Sequence, residues 1–166
     1  MQNRIIRVLM LTLGVVWTLG PLYAQQVDRD WFDQTIDFAL SLEEIHHRIE
    51  GGDIDSLFTG RAVLLDGVVA EITVIDPEPE SFFAQIDLVT GRWRGLDEIR
   101  LYRAYVFVQG PQFAGMIPAS PPREPNPDLL AVNSRILVVG ALVDLFDEPD
   151  GGVAPVIDGF HLRPIR

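Results

Sequence analysis

Residues 60–75 have the sequence GRAVLLDGVVAEITVI, and this stretch decides the fold. Its density of valine, isoleucine and leucine is typical of a long β-strand. Gly67 falls near the middle, where a glycine allows a long strand to bend or bulge. A second long strand is predicted over residues 135–146, with Gly140 near its middle. Because long strands that bend at a glycine can take part in both layers of a barrel, we expect a small closed barrel.

Three further strands are predicted around these two, over residues 82–92, 99–108 and 153–164. In the first of them, two sets of side chains alternate between opposite faces. One set is Phe82, Ala84, Ile86 and Leu88, and the other is Phe83, Gln85 and Asp87. In 99–108 the alternation changes phase, which predicts a bulge near Arg103. The acidic segments 76–81 and 147–152 contain proline or glycine and are predicted to be turns.

A short helix is predicted before the barrel. Ser41 and Glu44 have the spacing of a capping box, and Gly51-Gly52 follows as a stop signal. The predicted organisation is a signal peptide at 1–24, an N-terminal segment with this helix at 25–58, and a β-barrel domain at 59–166. A proline-rich loop at 109–128 lies within the barrel domain and holds half of the chain's prolines.

The layout of residues 58–165 resembles the OB-fold. The resemblance is carried by GRAVLLDGVV at 60–69, ILVVGALV at 136–143 and VIDGFHL at 156–162. It implies a mainly β protein with a five-stranded Greek-key barrel, whose ligands cross strands two and three between two flanking loops. An OB-fold usually has a helix between strands three and four, whereas this chain has the proline-rich loop there. A different small barrel therefore stays open as the alternative.

The N-terminus has the pattern of a secretory signal peptide. Arg4 and Arg7 precede the apolar run 5–19, and Ala24 offers a small residue for cleavage. An uncleaved membrane anchor is the alternative, although about 20 apolar residues are usually needed to span a bilayer. We therefore expect a periplasmic or secreted protein with no stable membrane span after removal of the signal.

Charge and cysteine content exclude several kinds of protein. Removal of residues 1–24 takes away Arg4 and Arg7 but no acidic residue, so the net charge changes from −11 to −13. Because such a surface repels polyanions, the sequence predicts that nucleic acid is an unlikely partner. The absence of cysteine excludes disulfide bonds, a thiol nucleophile and a lipid-modified cysteine.

One segment of the acidic chain is basic and aromatic. Residues 92–105 contain four arginines interleaved with tryptophan and tyrosine, which can stack on or hydrogen-bond to a ligand. The predicted ligand-binding residues are Arg92, Trp93, Arg94, Arg100, Tyr102, Arg103 and Tyr105. Alternatively, the arginines solvate the outside of a hairpin while the aromatic rings pack against its body.

Nothing in the sequence selects a reaction. There is no nucleophile-elbow serine, phosphate-binding loop or cofactor motif, and the three histidines do not form a metal-ligand pattern. The leading hypothesis is a non-catalytic binding or assembly module whose hairpin engages a protein or a cell-envelope polymer. The alternatives are single-stranded nucleic-acid or anionic-oligosaccharide binding and, third, a metal-dependent or carboxylate hydrolase. The sequence leaves the oligomeric state open.

Overall fold

A computed structural model describes residues 29–95, 97–118, 126 and 129–165. Its helices are α1 (Arg29–Thr35), α2 (Leu42–Gly51) and α3 (Pro111–Ala114), with a 3-10 turn at Asp55–Leu57. Its strands are β1 (Ile36–Asp37), β2 (Ala62–Asp76), β3 (Phe83–Arg94), β4 (Glu98–Gln109), β5 (Arg135–Asp147) and β6 (Val153–Ile165). The predicted signal peptide and residues 119–125, 127 and 128 of the proline-rich loop lie outside the described residues. No helix in the described ranges is long and apolar enough to cross a membrane.

The five long strands form a closed barrel. They follow the order β2-β3-β4-β6-β5, and antiparallel pairing between β2 and β5 completes the ring. The β4–β6 contact is the one parallel junction between these five strands. The prediction of a mainly β, five-stranded OB-type barrel with a short N-terminal helix is confirmed. The two-residue strand β1 adds to the outside of β2 in parallel.

The two central glycines bring neighbouring strands close together. A Cβ atom at Gly140 would collide with the backbone carbonyl of Asp158, and β5 shifts register against β6 between Val139 and Gly140. A Cβ at Gly67 would lie 2.8 Å from the side chain of Leu88. Both positions therefore tolerate glycine alone without movement of a neighbour, as the sequence pattern indicates for strands that bend.

Helix α2 packs against the barrel through one apolar face. The hydroxyl oxygen of Ser41 accepts a hydrogen bond from the Glu44 amide at 3.2 Å, and Gly52 ends the helix with φ +75°. The serine cap and the glycine stop are thus confirmed. The second half of the capping box is not formed, because the Ser41 amide donates to the carbonyl of Ala39 and Glu44 pairs with Arg48. Leu42 and Ile45 are buried in the same core as the inward side chains of β2 to β6.

The predicted bulge near Arg103 is wrong. Strands β3 and β4 pair without a register shift from Phe83 opposite Gln109 to Arg94 opposite Glu98. Ile99 and Leu101 are exposed on the outer face, so their apolar character does not mark the core side. The alternation therefore continues unbroken, with even-numbered residues of β4 on one face and odd-numbered residues on the other.

Candidate ligand-binding groove

An aromatic groove lies on the outer face of β3 and β4, near the turns that join β2 to β3 and β5 to β6. Strand alternation turns the side chains of Phe83, Gln85, Tyr105 and Phe107 away from the core. Gln85 and Phe107 lie directly opposite each other across the β3–β4 pair. These four positions form the floor of the groove.

Strands β5 and β6 supply the other wall. Phe146 and Val156 join Gln85, Tyr105 and Phe107 in lining an open cavity of about 250 Å³. The Tyr105 and Phe146 rings meet edge to face, with centroids 5.5 Å apart. On the floor, Phe83 and Phe107 stack with centroids 5.6 Å apart. The groove therefore has aromatic surfaces on its floor and on one side.

The turn between β5 and β6 holds Tyr105 in place. The Tyr105 hydroxyl donates a hydrogen bond to Oε1 of Glu148 at 2.9 Å, and Nη1 of Arg103 donates to the same oxygen at 3.1 Å. Burial raises the pKa of the Tyr105 phenol, and the hydrogen bond to Glu148 raises it further. Tyr105 therefore stays protonated and acts as the donor in this contact.

A second carboxylate orients the other polar side chain of the groove. Nε2 of Gln85 donates to Oδ1 of Asp87 at 2.9 Å. Asp87 lies two residues further along β3 and opposite Tyr105 on β4. The two polar residues that line the groove are therefore each tied to an acidic neighbour.

The structure divides the seven residues predicted from the sequence between two opposite faces of the β3–β4 hairpin. Arg92, Arg100 and Tyr102 face helix α2. Nε of Arg92 lies 3.2 Å from Oε2 of Glu43, and Arg100 pairs with Glu50. The Arg100 guanidinium also lies over the Tyr102 ring, 5.3 Å from its centroid. These arginines attach the hairpin to α2.

Tyr102 belongs to the core. It is 1% exposed, and its hydroxyl lies 3.4 Å from both Oε1 of Glu43 and Nε2 of His47. Trp93 and Arg94 are near the hairpin tip, where Trp93 is 68% exposed and lies opposite Ile99. A ligand in the groove would meet Tyr105 and Arg103, but not the other five predicted residues.

Sequence reasoning missed most of the groove. Phe83, Gln85, Phe107, Phe146 and Val156 are absent from the predicted site, although the alternation already placed Phe83 and Gln85 on one face. The floor could have been predicted from the aromatic residues that strand alternation places at outward positions of both β3 and β4. No local pattern indicates Phe146, because it reaches the groove only through the parallel pairing of β6 with β4, which brings the β5–β6 hairpin beside Tyr105.

The described residues contain no group of three or more histidine and carboxylate side chains that could hold a metal ion. In the turn between β2 and β3, Asp76 accepts a hydrogen bond from the Ser81 hydroxyl at 2.7 Å. In the turn between β5 and β6, Glu148 binds Tyr105 and Arg103, as described above. Asp76 and Glu148 thus both have partners within the protein.

No protein-family model and no curated protein matches the sequence. Among solved structures, the chain is similar to a small single-stranded DNA-binding protein from Streptomyces coelicolor, with 16% identity and a TM-score of 0.39 over 63% of this chain and 91% of that one. It is also similar to the N-terminal domain of the PriB protein from Thermoanaerobacter tencongensis, with 16% identity and a TM-score of 0.40 over 63% and 96%. Neither is described as an enzyme, and the likeness is one of fold.

These findings correct two predictions. The hypothesis of a module that engages a protein or cell-envelope polymer through the hairpin is wrong, and so is the expectation that nucleic acid is an unlikely partner. The Streptomyces coelicolor protein is a single-stranded DNA-binding protein, which agrees with the alternative instead. The physical reasons are local: Arg92 and Arg100 are occupied by α2, and net charge does not describe an individual groove.

Proposed function

We propose that this protein binds single-stranded nucleic acid, without catalysis, by stacking unpaired bases in the aromatic groove. The observation that carries the proposal is the position of the groove. It lies across the second and third strands of the barrel between two turns, the face on which OB-folds bind oligonucleotides and oligosaccharides. The rings of Phe83, Tyr105, Phe107 and Phe146 are on this face and not in the main core cluster.

The size and chemistry of the groove favour a single base over a duplex. Its volume of about 250 Å³ lies below the range of about 300–1,000 Å³ that is usual for drug-sized ligands. Phe146 is 49% exposed, so its ring is accessible. Stacking of a base on an aromatic side chain contributes about 1–3 kcal/mol and tolerates any base, because every base has a π-face.

The charges around the groove favour recognition of bases over recognition of phosphates. The Arg103 guanidinium beside the groove is already paired with Glu148, and Asp87 adds a second carboxylate on the same face. Few counterions would therefore be released on binding. We expect the logarithm of the affinity to fall with the logarithm of salt concentration with a slope of about −1 or shallower.

The test is fluorescence anisotropy of short labelled deoxyoligonucleotides with the purified protein and its variants. Phe107→Ala and Phe146→Ala should each weaken binding by about tenfold or more, because each removes a stacking surface. Phe160→Ala is the matched control, because Phe160 on β6 is 52% exposed and does not line the groove. The control variant should bind as the unmodified protein does.

Two results would contradict the proposal. One is the absence of binding to any oligonucleotide at low salt, including the case in which a neutral oligosaccharide binds instead. The other is equal affinity of the two groove variants and the Phe160→Ala control. Far-UV circular dichroism of every variant shows whether a lost affinity reflects a lost fold.

A further inference from the structure

We propose that the groove prefers cytosine and adenine, which carry an exocyclic amino group at C4 or C6 respectively, over uracil and thymine, which carry a carbonyl oxygen at C4. This inference rests on the proposed function and specifies its ligand. The observation behind it is that carboxylates already bind donors of both polar side chains that line the groove, Gln85 and Tyr105.

Tyr105 offers the groove an acceptor. Its hydroxyl proton is donated to Glu148, and Arg103 approaches the phenol oxygen as a donor, so the lone pair that remains can only accept a hydrogen bond. The Glu148 carboxylate is an acceptor as well, and it receives Arg103 from the other side. A ligand atom that approaches this end of the groove therefore meets oxygen atoms that can accept a hydrogen bond but not donate one.

Gln85 also offers the groove an acceptor. One N–H of its amide is donated to Asp87, which fixes the direction of the amide and leaves Oε1 as a free acceptor. The second N–H is the one donor that Gln85 retains. Between them, Gln85 and Tyr105 thus present more acceptors than donors to the groove, and no unpaired cation lies among the residues that line it.

This pattern matches amino-bearing bases. Cytosine presents two N–H donors on its N4 amino group, whereas uracil and thymine present the O4 acceptor at the same ring position and have N3–H as their single donor. An acceptor that faces another acceptor in a partly desolvated groove is left without a partner and costs binding free energy. Cytosine and uracil have the same ring size, so stacking should differ little between them.

The experiment compares labelled oligomers of deoxycytidine and deoxyuridine of equal length, in the same buffer at neutral pH. The deoxycytidine oligomer should bind about tenfold more tightly, which lies within the discrimination of about 1–3 kcal/mol per well-made base contact. Deoxyuridine is used in place of thymidine because it lacks the 5-methyl group, which would change stacking.

Two substitutions test whether Tyr105 and Gln85 cause the preference for cytosine. Tyr105→Phe removes the phenol oxygen and keeps the ring, and Gln85→Leu removes the amide and keeps an apolar side chain of similar reach. The double variant should bind both oligomers with similar affinity, whereas Phe160→Ala should keep the tenfold ratio.

The outcomes separate the two proposals. Binding of neither oligomer would overturn the proposed function and this inference together. Equal or tighter binding of the deoxyuridine oligomer by the unmodified protein would overturn this inference and leave the proposed function intact. An unchanged ratio in the folded double variant would also overturn it, because the preference would then arise elsewhere.

Discussion

The β3–β4 hairpin has a barrel half, residues 83–88 and 104–109, and a tip half, residues 89–94 and 98–103. Side chains alternate between the two faces in the same way in both halves, but they have different roles. In the barrel half, the outward positions hold the half-buried rings of Phe83, Tyr105 and Phe107, which form an open groove. In the tip half, the positions on the opposite face hold Arg92 and Arg100, which pair with acidic residues of α2. One half leaves its rings accessible, and the other uses its charges to attach a helix.

Tyr102 and Tyr105, three residues apart on β4, illustrate this difference. Tyr102 is buried beside Glu43 and His47, whereas Tyr105 lies on the outer face and donates to Glu148. They have the same chemistry but opposite parity along the strand, so one contributes to the core and the other to the groove. Composition alone therefore does not separate a residue that stabilises the fold from one that meets a ligand.

The largest expected difference is between the alanine variants of these two tyrosines. Tyr102→Ala should lower the free energy of unfolding by about 3–5 kcal/mol, since it empties a large buried site. Tyr105→Ala should cost less stability, because its ring is half-exposed, yet it should weaken oligonucleotide binding. Urea denaturation followed by circular dichroism measures the first effect and anisotropy the second. Equal losses of stability would contradict the division into core and groove.

A smaller effect is expected from charge reversal at the tip. Arg92→Glu and Arg100→Glu should each lower the free energy of unfolding by about 1 kcal/mol or less, because each replaces a partly exposed ion pair with α2 by repulsion. Affinity for oligonucleotides should not change. Arg94→Gln is the control, because Arg94 lies opposite Glu98 at the end of the hairpin and a glutamate there would add a repulsion of its own. Loss of affinity in the folded Arg100→Glu variant would show that the tip takes part in binding.

A modest pH effect should distinguish the groove from the tip. Burial raises the pKa of Tyr105, so the hydrogen bond to Glu148 is complete below about pH 10, the usual value for tyrosine, and is lost as the pH rises through the raised value. The free energy of unfolding should fall over that rise, because the hydrogen bond is replaced by repulsion between the phenolate and the Glu148 carboxylate. Urea denaturation at increasing pH measures the fall. Tyr105→Phe should remove this dependence, and its persistence in that variant would assign it to another group.

The smallest expected effect is at Trp93. Its ring is 68% exposed at the tip, and it is the aromatic residue that a search for stacking surfaces would choose first. Trp93→Ala should change neither the urea midpoint nor the oligonucleotide affinity beyond measurement error. A clear loss of affinity would extend the binding surface from the groove to the tip.

The barrel could be predicted from the sequence because its determinants are local. Strand alternation, the turn residues and the close approaches at Gly67 and Gly140 each depend on a short segment. The groove could not be predicted in this way, since Phe146 joins Tyr105 only when β6 pairs with β4, which is distant in sequence. Arg100 and Glu50, which pair with each other, are 50 positions apart in the sequence. No pattern within the hairpin sequence indicates this pairing.

Two errors have the same origin. The bulge near Arg103 was predicted because the apolar Ile99 and Leu101 fall on the opposite face from the apolar residues later in the strand, but both are exposed where the hairpin extends past the barrel. The prediction against nucleic acid used the net charge of −13, which averages over the whole surface. In both cases a property of composition was taken for a property of position. The predicted export signal at 1–24 stays a prediction.

The most direct test of the groove is nuclear magnetic resonance of the 15N-labelled protein during titration with a deoxycytidine oligomer. We predict that the side-chain amide of Gln85 and the backbone amides of Tyr105, Phe107 and Phe146 shift most, while those of Trp93 and Arg100 stay in place. Shifts concentrated at the hairpin tip, or the absence of any shift at saturating oligomer, would contradict the account.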